Sequence, residues 1–286
     1  MTDLPRPLPH SNPAVALALG GGGARGLAHI PVIETLDEYG LQPQLVAGAS
    51  IGALMGAALA AGMTGAEIRD HTLSVIGRKG EILNRLWSLR PASLSGVVAG
   101  GFRFGQFDLE RILRVFLPES LPETFEELAI PLKVVASDYY GQCECLCESG
   151  PLFPALAASA ALPAVFLPVA IGGRLMIDGG LWNPVPFDHI AGRAGITIGV
   201  DVIGAPLAGV TETPNGLDTL YGATQLTMRS IVTLKLERGA PDIFLQPDVG
   251  RFRVLDFLKA KEILVAAEAV RDDLRRALDA RLAALG

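Results

Sequence analysis

The chain has 286 residues, half of them apolar, with 33 glycines and a formal net charge of -6. That length supports one α/β core without demanding a second domain, and the acidic balance excludes the basic footprint of nucleic-acid binding. Cys143, Cys145 and Cys147 are odd in number and crowd into one short stretch, which excludes a secreted disulfide framework and fits a reducing cytoplasm.

Residues 1–13 contain Pro5, Pro7, Pro9 and Pro13, lack the charged-then-apolar layout of an export signal, and read as a disordered tail. A single domain over 14–286 follows. Val15-Ala16-Leu17-Ala18-Leu19 is an apolar run stopped by glycine, as expected of a parallel strand buried on both faces. Leu27, Ile30, Ile33 and Leu36 then recur at helical spacing, and Gly40 closes that element. Leu45-Val46-Ala47 predicts a second strand, Gly48 to Gly52 a tight turn, and Ala53 to Ala61 a small-residue helix ended at Gly62. The uncharged stretch 44–66, with Gly48, Gly52 and Gly56 at four-residue spacing, also resembles a membrane-span interface. A helix from Ile51 to Gly62 reaches only about 18 Å, however, against a hydrocarbon core of roughly 30 Å.

Residues 80–105 are Gly/Ser-rich, carry Leu86, Trp87, Phe102 and Phe104, and read as a mobile cover. Trp87 with Arg85 and Arg90 suits either a lipid surface or plain packing. Asp108 is placed to cap a helix ending at Leu117, and Leu132 to Ser137 predicts a strand paired with Gln142 to Cys147. A helix near Leu156 to Ala161, strands Arg174 to Ile177 and Ile196 to Asp201, and a long helix Leu217 to Glu237 continue the alternation. A short strand Asp242 to Leu245 and an amphipathic closing helix over Val254 to Leu285, with breaks, end it.

The chemistry concentrates at strand ends. Gly48-Ala49-Ser50-Ile51-Gly52 sits at a strand-to-helix junction, where flanking glycines permit the cramped backbone that lifts a serine hydroxyl out of a turn. The helix starting at Ile51 adds unpaired amides and a positive dipole end. A glycine-rich core turn gives the same letters. Gly20 to Gly26, one βα unit upstream, lets amides around Gly21, Gly22, Gly23, Ala24, Arg25 and Gly26 converge on a negative oxygen. The same run satisfies a dinucleotide fingerprint, but the second strand ends in Val46-Ala47-Gly48-Ala49-Ser50 without the acid a ribose needs. Arg25 suits an anionic head group, orientation of the loop, or a surface carboxylate. Asp178, before Gly179 and Gly180, reads in isolation as a hairpin turn, and beside a serine that needs a proton acceptor as a base for Ser50. Among four histidines only His189 suits a Ser50-Asp178-His189 triad; packing on the Pro184-Val185-Pro186 segment is the alternative.

Taken in order, Gly21 to Gly26, Gly48 to Gly52, Ala158-Ser159-Ala160-Ala161-Leu162-Pro163 and Asp178 to Pro186 resemble the patatin-like phospholipase family, including the catalytic domain of neuropathy target esterase. The resemblance implies a three-layer α/β/α patatin-like fold with a mostly parallel central sheet. It implies Ser50 as nucleophile, Asp178 as the only catalytic partner, amides around Gly22 and Gly23 as oxyanion donors, and no metal or cofactor. The implied partner is an acyl ester of a phospholipid, lysophospholipid or neutral lipid, with peripheral membrane contact. Ala49 departs from the family, where threonine is frequent. A lipid-binding module that keeps these motifs without turnover is the non-enzyme alternative.

Overall fold

The computed structural model describes residues 13–77, 109–205, 213 and 216–285. The expected cover at 80–105, including Trp87, and the Asp108 cap lie outside the described residues, as does the tail up to residue 12.

Eight strands among the described residues form one sheet. They are β1 (Val15–Leu19), β2 (Pro43–Ala49), β3 (Leu132–Asp138), β4 (Cys143–Cys147), β5 (Val169–Ile171), β6 (Arg174–Asp178), β7 (Ile196–Val200) and β8 (Ile243–Leu245). The order is β5-β6-β3-β2-β1-β7-β8, with β4 also paired to β3. The β3-β2-β1-β7-β8 run is parallel throughout, which explains why β1 and β7 carry no polar face.

Helices cover both faces. Val15, Leu17 and Leu19 point into a large cluster formed with α1 (His29–Glu38), α2 (Ile51–Ala60), α7 (Ala260–Ala267) and α8 (Val270–Leu285). Ala16 and Ala18 face the opposite side, where Val185, Phe187 and Ile190 pack with Val232 of α6 (Gly216–Arg238). Alanine there lets the second layer approach closely. The result is the expected three-layer α/β/α arrangement with a mostly parallel sheet.

One irregularity positions the site. β3 pairs with β2 through residues up to Ala49↔Val135, and with β6 from Ala136↔Asp178 onward. β4 lies along the other edge of β3, because it overlaps both pairings. A single edge of β3 therefore carries β2 and then β6, running in opposite senses, end to end. The last residue of β2 and the last residue of β6 fall opposite neighbouring positions of β3.

Several elements differ from the sequence expectation. The helix expected near Leu156 to Ala161 is α5 (Leu152–Ser159), which begins earlier, straight after Pro151. Pro154 lies within its first turn, where a missing amide hydrogen costs nothing. Three-residue β5 was not expected; it forms a hairpin with β6 through Gly172 and Gly173, both at positive φ. Asp178-Gly179, by contrast, makes no hairpin and runs into a 3-10 turn, Gly179–Leu181. The closing helix begins only at Ala260, after a loop and a short 3-10 turn, Phe257–Lys259. The stretch 44–66, which also resembled a membrane span, is β2, a turn and the ten-residue α2. Among the described residues no helix is long and apolar enough to cross a membrane.

Leu17 is fully buried at the centre of this sheet. Leu17→Ala is expected to lower stability by about 2–5 kcal/mol, read as a lower urea midpoint at unchanged slope.

Candidate active site

Ser50 follows β2 at φ 54° and ψ -126°, a strained backbone for a residue with a Cβ. The strain is held by close packing. A Cβ on Gly52 would stand 2.1 Å from the Leu19 carbonyl oxygen, so only glycine lets α2 start this near β1. Gly48 lies against the backbone of Ala53, and Ala49 is buried in the β2–β3 ladder. Ile51, the first residue of α2, packs against Gly26, where a Cβ would stand 2.3 Å from Ile51 Cγ2. The Ser50 amide donates to Ser159 Oγ at 2.8 Å, from the last residue of α5. Ser159 is fully buried. Its motif was visible in the sequence, but nothing local connects it to a serine 109 positions away.

The Ser50 hydroxyl donates to Asp178 Oδ2 at 2.6 Å, and Asp178 Oδ1 accepts the Gly180 amide at 2.8 Å. Asp178 is anchored through its backbone as well. Its amide donates to the Ala161 carbonyl, and its carbonyl accepts Ser137 Oγ at 2.8 Å. Gly179 presses onto β3, where a Cβ would stand 1.9 Å from the Val135 oxygen. Burial pushes the Asp178 carboxyl up to about 6, with the bonds from Ser50 and Gly180 pulling the other way. A short charge-assisted bond to a hydroxyl and a carboxyl titrating near neutrality are what a general base requires.

The glycine loop divides its amides. Gly21 N donates to the Pro184 carbonyl at 2.9 Å and Ala24 N to the Val254 carbonyl at 2.8 Å, so both serve the loop itself. The Gly22 and Gly23 amides have no acceptor among the described residues. Gly23, at φ 59°, heads the 3-10 turn Gly23–Ala28. Of the stretch Gly21 to Gly26, then, Gly22 and Gly23 have amides without an acceptor among the described residues, Gly21 lies beside Ser50 Cβ, and Gly26 serves packing.

Among the described residues Arg25 pairs with no surface carboxylate. It is buried and donates through Nε to the Val202 carbonyl at 3.0 Å and through Nη1 to the Phe252 carbonyl at 3.1 Å. Burial lowers its pKa to about 10, while the charges of Asp201 and Asp256 oppose that shift. His29 is also buried; its ring Nε2 meets the Gly20 carbonyl at 2.8 Å, while Nδ1 has no partner among the described residues. With Nδ1 unpartnered, the proton is assigned to Nε2. Burial holds this ring at about 4, well below an ordinary histidine, against the opposing bond to Gly20.

The Ser50-Asp178-His189 triad is not assembled. His189 Nε2 sits 3.0 Å from Glu144 Oε1, and both Asp178 oxygens are engaged elsewhere. Its neighbours form a polar cluster behind the site. Asn183 donates to Glu144 and Asp188, and Lys235 of α6 donates to Asn183 Oδ1, the Val185 carbonyl and Asp188. This cluster fixes the chain beyond Gly180. The three cysteines alternate along β4 as free thiols, and no group of His, Cys, Asp or Glu among the described residues is arranged to hold a metal.

Gly22, Gly23, Ser50 and Asp178 share a cavity of about 1230 Å³. Its other walls are mostly apolar, with Leu54, Met55, Phe116, Leu162 and Phe166 among them. Because Ser159 Oγ is the acceptor for the Ser50 amide, Ser159→Ala would bury an unsatisfied N–H beside a strained residue. A loss of about 1–3 kcal/mol is expected, measured by urea unfolding, with Ser159→Thr unable to rescue it in so tight a helix contact.

Comparison with known proteins follows the same features. The family model for patatin-like phospholipase matches residues 17–191, from within β1 to just beyond His189. An NTE family protein of Mycobacterium tuberculosis is 38% identical over 196 residues, covering 68% of this chain and 51% of that protein. A lysophospholipase of Debaryomyces hansenii is 26% identical over 295 residues, covering 92% of this chain and 18% of that protein. The chain thus spans about half the length of the mycobacterial relative and less than a fifth of the fungal one. VipD from Legionella pneumophila aligns in structure with a TM-score of 0.47 at 15% identity, covering 91% of this chain and 66% of VipD. With the family model matched across more than half of its residues, this chain belongs to the patatin-like phospholipase family.

Proposed function

We propose that the protein is a lipid acyl hydrolase working through a Ser50-Asp178 dyad. The observation that carries this reading is the 2.6 Å bond from the Ser50 hydroxyl to a buried carboxylate at the floor of an apolar cavity. Asp178 takes the Ser50 proton as Oγ attacks the ester carbonyl. The oxyanion that forms accepts from the Gly22 and Gly23 amides, with the N-terminal end of α2 adding its dipole. Collapse releases the alcohol, which takes the proton from Asp178, and leaves acyl-Ser50. Asp178 then deprotonates water as it attacks the acyl carbonyl, and returns that proton to Ser50 Oγ as the C–Oγ bond breaks and the fatty acid leaves.

The cavity exceeds the usual range of about 300–1,000 Å³ for small-molecule sites, and its apolar walls suit an acyl chain. A phospholipid, lysophospholipid or neutral-lipid ester fits that description. The fungal relative's name, lysophospholipase, favours the single-chain substrate.

Hydrolysis of a short-chain nitrophenyl ester, together with labelling by a fluorophosphonate, tests the dyad. Ser50→Ala is expected to lose labelling and turnover, Asp178→Asn to lose turnover by at least about a thousandfold, and His189→Ala to keep most of both. Full activity in either dyad variant, or labelling at another residue, would overturn the assignment; a folded protein with the intact dyad and no turnover on any lipid would leave a binding module.

The base must be ionised to work, so kcat/KM should fall about tenfold per pH unit below about 6 and level off above it. Stability runs the other way. The folded carboxyl is held above its unfolded value, so its ionisation opposes folding fully above about 6 and not at all below about 4. Asp178→Asn should therefore raise the melting temperature at alkaline pH and leave it little changed near pH 4, as followed by circular dichroism.

A further inference from the structure

Between β8 and α7 the chain passes along the cavity mouth as a strap, residues 249–259, continued by the first residues of α7. Its inner side is fixed to the glycine loop: the Val254 carbonyl accepts the Ala24 amide, the Phe252 carbonyl accepts Arg25, and Val254 closes over Gly23. Phe252 itself is buried. The outer side has a different character. Leu255 and Leu258 are 51% and 65% exposed, a pair three residues apart among several exposed leucines that also include Leu220, Leu226 and Leu234 of α6. Arg251, Arg253, Lys259 and Lys261 are exposed around them. Against these four cations the strap sets Asp256, which accepts the Arg253 amide and pairs with Lys259, while Glu262 follows on α7. The local balance is positive on a chain whose net charge is -6.

We propose that this strap docks the protein on an anionic bilayer surface, presenting the cavity mouth to the membrane. Leucines open to solvent beside arginines and lysines match the two layers of such a surface. The apolar side chains enter the acyl boundary and the cations meet the head groups. These same residues, Arg251, Arg253, Leu255 and Leu258, line the cavity and are also exposed to solvent, which puts an opening of the cavity on the strap's side. A partner that is charged outside and apolar just beneath completes that rim, where a soluble acidic ligand would leave the leucines wet. This deepens the acyl-hydrolase reading by naming the phase from which the substrate is drawn, and its test does not depend on turnover.

The test uses the full chain carrying Ser50→Ala, so that vesicles stay intact. Flotation is measured with phosphatidylcholine vesicles, either pure or about one-quarter phosphatidylglycerol. The protein is expected to float with the anionic vesicles, weakly with the neutral ones, and less as salt rises. Lys259→Glu with Lys261→Glu should cut partitioning by at least about tenfold, since each cation near such a surface contributes roughly fivefold. Leu255→Ser with Leu258→Ser should cut it comparably at an unchanged melting temperature. If the leucine pair misfolds, the charge pair, which lies on the surface, still decides the matter. No flotation of the parent protein, or equal flotation of every variant, overturns the proposal. So does a concentration-dependent rise in mass that the leucine pair abolishes, which would give this face to a second copy of the chain.

Discussion

Everything at the site depends on how one strand edge is shared. β3 gives the first half of an edge to β2 and the second half to β6, so two chains arriving from opposite directions end at adjacent rungs, Ala49 opposite Val135 and Asp178 opposite Ala136. Backbone hydrogen bonds of a ladder fix position along the strand to within a fraction of a residue step. The hydroxyl and the carboxyl are 128 residues apart in sequence, yet their separation is set by two neighbouring peptide units of a central strand. Gly179 tightens this further by resting on the Val135 carbonyl, which leaves Asp178 no room to retreat.

The remaining parts hold what that edge brings together, and they do so at a cost to the fold. Ser50 is kept in a left-handed conformation that costs about 1–3 kcal/mol, Asp178 is stripped of water, and the Gly22 and Gly23 amides are left without acceptors. Each is compensated by structure outside the reacting atoms. Ser159 satisfies the strained amide, Ser137 and Ala161 anchor the Asp178 backbone, and Lys235 with Asn183 and Asp188 locks the chain beyond the acid turn. A large apolar cluster on one face of the sheet supplies the surplus stability on which these local costs draw.

Much of this was legible in the residues. The apolar runs at Val15–Leu19 and Ile196–Val200 announced buried parallel strands, because nothing in them tolerates water on either face. Paired glycines around Ser50 and the loop upstream announced a turn and a cradle. What the residues could not tell was which amides of the cradle remain open. That choice is made by Pro184 and Val254, both more than a hundred positions away. Arg25 was ambiguous for the same reason, since its partners are backbone carbonyls of Val202 and Phe252, which leave no sequence pattern. The strap from Val254 onward was read as the start of the amphipathic closing helix. In the fold the Val254 carbonyl is given to Ala24 instead. Short β5 escaped because three residues are too few for periodicity to act.

His29 gives the architecture one more property. Its neutral ring donates to the Gly20 carbonyl, at the point where β1 turns into the glycine loop, and burial holds it uncharged down to about 4. The unfolded chain takes up that proton near the ordinary histidine value, so stability from the neutral ring is full above about 6.5 and drains away as pH falls toward 4. Acid thus reaches this region by two separate protons, one on the carboxylate bonded to Ser50 and one on the imidazole bonded to Gly20. The first neutralises the acceptor of the Ser50 hydroxyl; the second erodes the support of the loop. On stability the two protons act in opposite directions, since protonating Asp178 relieves a buried charge while protonating His29 creates one, so acid loosens this region only by the excess of the second effect over the first.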